Sequence, residues 1–273
     1  MPTKRRVADY SRIIFAHERT SVRLRDMTAN AIEPSLRRAG KAAAKVSIDG
    51  GTMNDVNVAI QKESPSFTNA LHLPLKRIIA AGIGFENDWI GGGDVEQSLA
   101  PAMRRTIQAQ SSVGTVEQSW LPDLDLDLSL VLMSNIFSWL SLRAHRAWQR
   151  ANNSLYMRLF KLTGAPDDKV QSHMRDVAGL ARRVAMLETT GGLNYGAHLL
   201  RIEKGVGYKI WLSIIDRNTR TGQFDHIEPH RQVRTIYEPF IVSDEPLMYP
   251  GDDTLGATDG NIWGCRCFSL SVL

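Results

Sequence analysis

The chain has 273 residues, 43% of them hydrophobic and 23% charged, with only two cysteines and a net charge of +4. This is ordinary globular composition, enough for one large domain or two modest ones, and two cysteines exclude a disulfide-stapled scaffold. The leading MPTKRRVADYSRIIF lacks the apolar core of a signal peptide, and the longest apolar run, SLVLMSNIFSWLSL, is too short to span a bilayer, so a soluble product of a reducing cytoplasm is expected.

Charge is distributed unevenly. Residues 1–46 hold eleven Lys and Arg against four Asp and Glu, a surplus of +7, which leaves −3 for the remainder. Lys4, Arg5, Arg6 and Arg12 head this segment and are its candidate DNA contacts; a solvated basic helical arm is the plainer alternative. The same stretch predicts a helix over about 7–46, and a second is expected over 68–82, with turns at Asp49-Gly50-Gly51 and Gly91-Gly92-Gly93-Asp94. In LPDLDLDLSL, Asp123, Asp125 and Asp127 imitate a calcium loop, but Leu128 holds the position of its glycine and Ser134 that of its closing glutamate. An extended linker entering a helix is the expectation there.

Leu132, Ile136, Leu140, Ala144, Ala147, Ala151, Leu155 and Leu159 recur at helical spacing and stop at Gly164 and Pro166. Asp167 or Asp168 is expected to cap the next helix, whose stripe of Val170, Met174, Val177, Leu180, Val184 and Leu187 runs to Gly191-Gly192. A third, shorter helix is expected from Leu193 to Glu203. The text then turns β-like: Tyr208 to Ile215 predicts a buried strand, Glu238 to Pro250 a hairpin around Ser-Asp-Glu-Pro, and CRCFSLSVL a last strand. The fold class is therefore α+β, a mainly helical part over 1–164 followed by a compact α+β module with a small sheet over 165–273.

No Walker A, HExxH or GxSxG motif is present, and Gly82-Ile83-Gly84 lacks both the third glycine and the strand of a dinucleotide loop. The polar residues with chemistry cluster after Trp211. Cys265 and Cys267 are one residue apart, and alternate residues of a strand lie roughly 6.5–7 Å apart at Cα against about 4.4–6.8 Å for a disulfide, so a bond between them is not expected. Asp216, at a strand end, is placed to accept bidentate hydrogen bonds from Arg217, Arg220 or Arg266, an internal clamp. The alternative is a structural zinc held by Cys265, Cys267, His226 and His230, with Cys-x-Cys spacing and Glu228-Pro229 against it. Tyr249 and Trp263 are expected in a core.

Taken together, Asp216, Arg217, Thr219 and Arg220, then His226, Pro239-Phe240, Leu247, Tyr249-Pro250-Gly251-Asp252 and Cys265-Arg266-Cys267 resemble the C-terminal domain of phage minor head proteins, the Mu F-like and SPP1 gp7-like head morphogenesis family. The resemblance covers about residues 165–270 and includes a helix ending in Glu188-Thr189. Gly264 stands where that family usually has Asn, and His226 follows Arg220 by six residues where three is usual. The resemblance implies a structural, non-enzymatic protein of the phage head, inside the capsid of the virion and in the host cytoplasm during assembly. Its implied partners are the portal and the capsid or scaffold proteins, with DNA through the basic N-terminus, and with no membrane, small-molecule substrate or cofactor. The competing classes are a metal-dependent enzyme using Asp216, His226 and the cysteines, and a DNA-binding module with no capsid role.

Overall fold

The structure is a computed structural model that describes residues 4–91 and 130–272. It is α+β, with long helices preceding a small antiparallel sheet. The helices are α1 (Lys4–Ile48), α2 (Met53–Gln61), α3 (Ser64–Ile90), α4 (Leu130–Phe160), α5 (Asp167–Arg175) and α6 (Ala178–Glu203). After them come β1 (Tyr208–Leu212), β2 (Val233–Thr235), β3 (Phe240–Val242), β4 (Glu245–Leu247), the short α7 (Asp259–Ile262) and β5 (Phe268–Ser271). No described helix is long and apolar enough to cross a membrane. Asp123, Asp125 and Asp127, and the turn residues Gly92, Gly93 and Asp94, lie outside the described residues, as do the side chains of Lys4, Arg5, Arg6 and Arg12.

Packing divides the chain into two compact units that are interleaved in sequence. One comprises Met1–Leu24, Lys76–Ser134 and Met186–Leu273, the other Arg25–Leu75 and Asn135–Ala185.

The second unit is helical. Its apolar stripe from Ile136 through Leu140, Ala144, Ala147, Ala151 and Leu155 to Leu159 is buried, as the spacing predicts. Trp148 packs on Phe67 with ring centroids 5.2 Å apart and donates its indole N–H to Gln61 at 2.8 Å. Thr52 and Asp55 close a reciprocal capping box that starts α2. The expected aspartate cap of α5 is corrected: Pro166 holds the cap position, and Asp167 and Asp168 sit in the first turn, where carboxylates favour the helix dipole. The stripe from Val170 is also interrupted, since the chain turns at Asp176 and Val177 before α6 begins.

In the first unit, α6 runs through Gly191 and Gly192 to Glu203 as one helix, so the expected stop and the separate helix from Leu193 do not occur. Each glycine costs about 1 kcal/mol relative to alanine in a helix interior. The helix backbone here is closely approached by Gly251 (φ +80), at which a Cβ would come within 2.8 Å of the Gly191 nitrogen. Gly82 of α3 and Gly196 of α6 likewise meet the other helix's backbone directly, Gly82 at Leu193 and Gly196 at Ile79.

The three-stranded sheet has the order β2-β1-β5, all antiparallel, with Trp211 opposite Ser269 and Leu212 opposite Phe268. Both of its faces are covered. Ile210, Leu212, Phe268 and Leu270 pack on Ile13, Ala16 and Phe85, while Trp211 faces Phe240, Val242 and Leu247 of the β3–β4 hairpin. Burial on both faces explains why β1 is buried continuously from Lys209 to Leu212 rather than at alternate residues. The strand ends at Leu212, three residues before the predicted end at Ile215. The hairpin turns on Ser243 (φ 48) and Asp244 (φ 63), the paired left-handed conformation that matches strand twist.

β5 is an edge strand, yet its outer edge carries no free backbone groups at Ser269 and Ser271. Val272 donates to the Tyr208 carbonyl, so even-numbered residues face β1 and these two serines face away. The Ser269 N–H donates to Asn194 Oδ1 at 2.9 Å, and its carbonyl accepts from Arg201. The Ser271 N–H donates to Glu86 Oε1 at 3.0 Å, and its carbonyl accepts the Trp89 indole N–H at 3.0 Å. Arg201 and Glu86 are themselves paired at 2.6 Å with both side chains wholly buried. Removing one partner of such a pair strands the other as a buried charge. Arg201→Met is therefore expected to lower unfolding free energy by about 3–5 kcal/mol in urea denaturation, and Glu86→Gln added to it to recover part of that loss; equal losses in the single and double variants would contradict the pairing.

Candidate functional site

The segment between β1 and β2 and the segment before β5 come together beside Trp211. Asp216 caps its own turn: its carboxylate accepts from the Asn218 N–H at 2.8 Å, and the Thr219 hydroxyl donates to the Ile214 carbonyl at 2.6 Å. Arg266 then grips the same carboxylate in the fork geometry expected of a clamp, at 2.9 and 2.5 Å, and also reaches Glu18 at 3.2 Å. Among the three candidate arginines the clamp is thus Arg266. Arg217 is exposed, and Arg220 donates to the Gly260 carbonyl.

The hydrogen bond from Arg266 pushes the Asp216 pKa down from 3.8 to about 2. Because the folded value lies below the ordinary one, the contribution is complete above about pH 4 and is lost as pH falls towards 2.

Tyr-Pro-Gly-Asp forms a braced turn. Asp252, wholly buried, accepts from the Met248 N–H at 2.9 Å and from the Thr254 N–H and hydroxyl at 2.9 and 2.7 Å. Tyr249 is buried against Tyr195 and His198, with centroids 5.7 and 5.6 Å away, and Pro250 is buried beside it. Trp263 is half-buried on the same core as Trp211, so both expected core aromatics are packed rather than displayed.

Behind the Asp216 clamp lies a buried group of one imidazole and two thiols. His226, Cys265 and Cys267 are all buried, and their ligand atoms lie within 4.8 Å of one another. Both cysteines are free. They precede β5 rather than forming part of it, so the strand spacing used to separate them does not apply. His226 Nε2 faces Asn261 Oδ1 at 3.2 Å, and Nδ1 faces Cys267 Sγ at 3.5 Å. His230, expected in the same set, is turned away: its Nδ1 accepts the Ser213 N–H at 3.1 Å.

The electrostatics of the group are asymmetric. A hydrogen bond from Cys267 draws the Cys265 thiol well below its ordinary value against the effect of burial, and the nearby His226 adds to it. Burial, together with Cys265, pushes Cys267 well above. For His226 burial acts downward, and Cys265 outweighs it, leaving the imidazole raised. The trio therefore favours an anionic sulfur beside an imidazole. A cavity of about 10 Å3, roughly one water, lies elsewhere, lined by His17, Gly82, Phe85, Asn194 and Ser269.

Three participants carry no signal in the motif text. Asn261 orients His226; Thr190 and Asn194 of α6 hold the Cys265 and Cys267 carbonyls at 2.7 and 3.3 Å. The i, i+4 spacing of Thr190 and Asn194 on a helix is visible in the sequence, but only the helix running through Gly191-Gly192 puts them on one face. Lys209, the one charge in YKIWL, is buried with its ammonium donating to the Met248 carbonyl at 2.8 Å, and burial with Arg201 nearby pushes its pKa down to about 7.

Comparison with protein-family models, with curated proteins and with solved structures found no match to the chain.

Asp216→Asn should melt at lower temperature than the parent at pH 7, with the gap closing as pH falls from about 4 to 2 and vanishing below. Thermal unfolding of both proteins across that range measures this; a gap independent of pH would mean the carboxylate charge does not hold Arg266.

Proposed function

We propose that the protein is a minor head protein of a tailed phage, a structural component that assembles with the portal or the inner capsid and has no chemical reaction of its own. The observation that carries this reading is how the residues of the resemblance are used. Asp216, Thr219, Arg220, His226, Tyr249, Asp252, Cys265, Arg266 and Cys267 are each engaged in contacts inside the fold. Residues committed to bracing turns and strand ends hold a shape, and a held shape is what an assembly component presents to its partners.

The Gly264 departure also fits. Its φ is +72, a conformation that glycine adopts freely and asparagine more readily than other residues, so one backbone requirement accounts for either residue.

Association is the direct test. Co-expressed with the portal and capsid proteins of its own genome, the tagged chain should co-sediment with portal rings or procapsids; absence from both would sink this reading.

The DNA contribution rests on charge. Arg37 and Arg38 of α1 are paired to Glu33 and Glu63, so the N-terminal lysine and arginines are the better candidates for phosphate contact. Deleting residues 1–46 would remove Ile13 and Ala16 from a core, and neutralising Lys4, Arg5, Arg6 and Arg12 to Gln avoids that damage. The quadruple variant should reduce the slope of log K against log salt by up to about 3 to 4 in a DNA-binding titration. An unchanged slope removes this segment from DNA binding.

A further inference from the structure

We infer that His226, Cys265 and Cys267 form a buried zinc site that staples the segment before β5 to the β1–β2 connection. The inference rests on the geometry of the three side chains and stands whether or not the chain belongs to a phage head.

Around a tetrahedral zinc with Zn–S of about 2.3 Å and Zn–N of about 2.0 Å, sulfur and nitrogen ligands sit roughly 3.5 Å apart. Cys267 Sγ and His226 Nδ1 are 3.5 Å apart, and Cys265 Sγ lies within 4.8 Å of both. Hydrogen bonds account for these contacts pair by pair, whereas one tetrahedral ion between the three atoms accounts for all of them together.

Asn261 donates its amide to the Val242 carbonyl at 2.7 Å and to Glu245 at 3.0 Å, which fixes its oxygen towards His226 Nε2. An acceptor there requires Nε2 to carry a proton, so in the neutral ring the lone pair is on Nδ1, facing the sulfurs. Metal-binding histidines are ordinarily oriented in this way, by a hydrogen bond from the ring nitrogen that does not bind.

Donor chemistry selects the ion. Two thiolates and an imidazole suit zinc and disfavour magnesium or calcium, which take oxygen. Arg220 interacts electrostatically with both sulfurs and with His226, and its buried Nη2 has no hydrogen-bond partner. That N–H offers a donor to a fourth ligand completing the coordination. On binding, each thiol still protonated releases its proton to solvent, and no oxidation or reduction is involved.

The chain should be purified under reducing conditions without chelator and assayed by plasma mass spectrometry. Roughly one zinc per chain is expected, and the zinc-stripped protein reloaded with cobalt should show thiolate-to-cobalt charge transfer with strong visible bands of tetrahedral cobalt. Cys267→Ser should lose those bands. Because that variant also disturbs a core, His226→Cys is the companion: it keeps a ligand, and should retain the metal with stronger charge transfer. Chelation of the parent should lower its melting temperature, and added zinc should restore it. Folded parent protein with neither zinc nor a cobalt spectrum overturns the site, as does a Cys265–Cys267 disulfide in freshly reduced material. Folded His226→Cys without metal overturns the histidine's place in it. None of these results bears on association with portal rings, which tests the head reading separately.

Discussion

The outer edge of β5 is where the first unit closes. A sheet edge presents unpaired N–H and C=O groups, and a buried one left unsatisfied costs about 1–3 kcal/mol per group. Among the described residues no further strand covers it. Asn194, Arg201, Glu86 and Trp89 supply from two helices the donors and acceptors that a neighbouring strand would supply from its backbone. The Glu86–Arg201 pair is charged because each partner also serves a strand group, and burial of both is tolerable because each has several bonds besides its partner.

Everything around the cysteines follows from that edge. Thr190 and Asn194 continue the same polar row along α6 and take the carbonyls of Cys265 and Cys267, fixing the backbone just before the strand begins. With residues 265 and 267 held inward, Arg266 projects the other way, to Asp216 and Glu18. The clamp and the thiol group are thus two sides of one short segment. Gly82 and Gly196 complete the arrangement by letting α3 and α6 approach closely enough for Glu86 and Arg201 to meet.

Much of this architecture is legible in the sequence where one period dominates. The α4 stripe, the buried β1 run and the Ser243-Asp244 hairpin each follow from local pattern. Asp216 as the partner of a basic residue is legible too, although the text offered three arginines and only the direction of Arg266 out of its segment decides among them. What local pattern misjudges is glycine inside α6: Gly191 and Gly192 read as a stop because glycine commonly ends helices, yet the helix continues through both to Glu203. His230 shares a helical four-residue spacing with His226, but the stretch through Glu228-Pro229 is a turn and its ring goes to Ser213. Glu86, 115 residues from Arg201, has no local signature at all. Pairings at such separation are set by tertiary packing.

The interleaving of the two units has a consequence for synthesis. The first unit draws on the start, the middle and the end of the chain, and β1 cannot be paired on both sides until Phe268–Ser271 has left the ribosome. At about 5–20 residues per second, α6 spends several seconds, and α1 and α3 roughly ten seconds or more, with their partner strand unmade. During that interval the polar row on α6 faces no strand, and β1 offers an apolar edge to any other extended chain. Nascent chains are therefore exposed to mispairing with one another until Phe268–Ser271 has emerged, and a chain stopped before that strand would keep the exposure permanently.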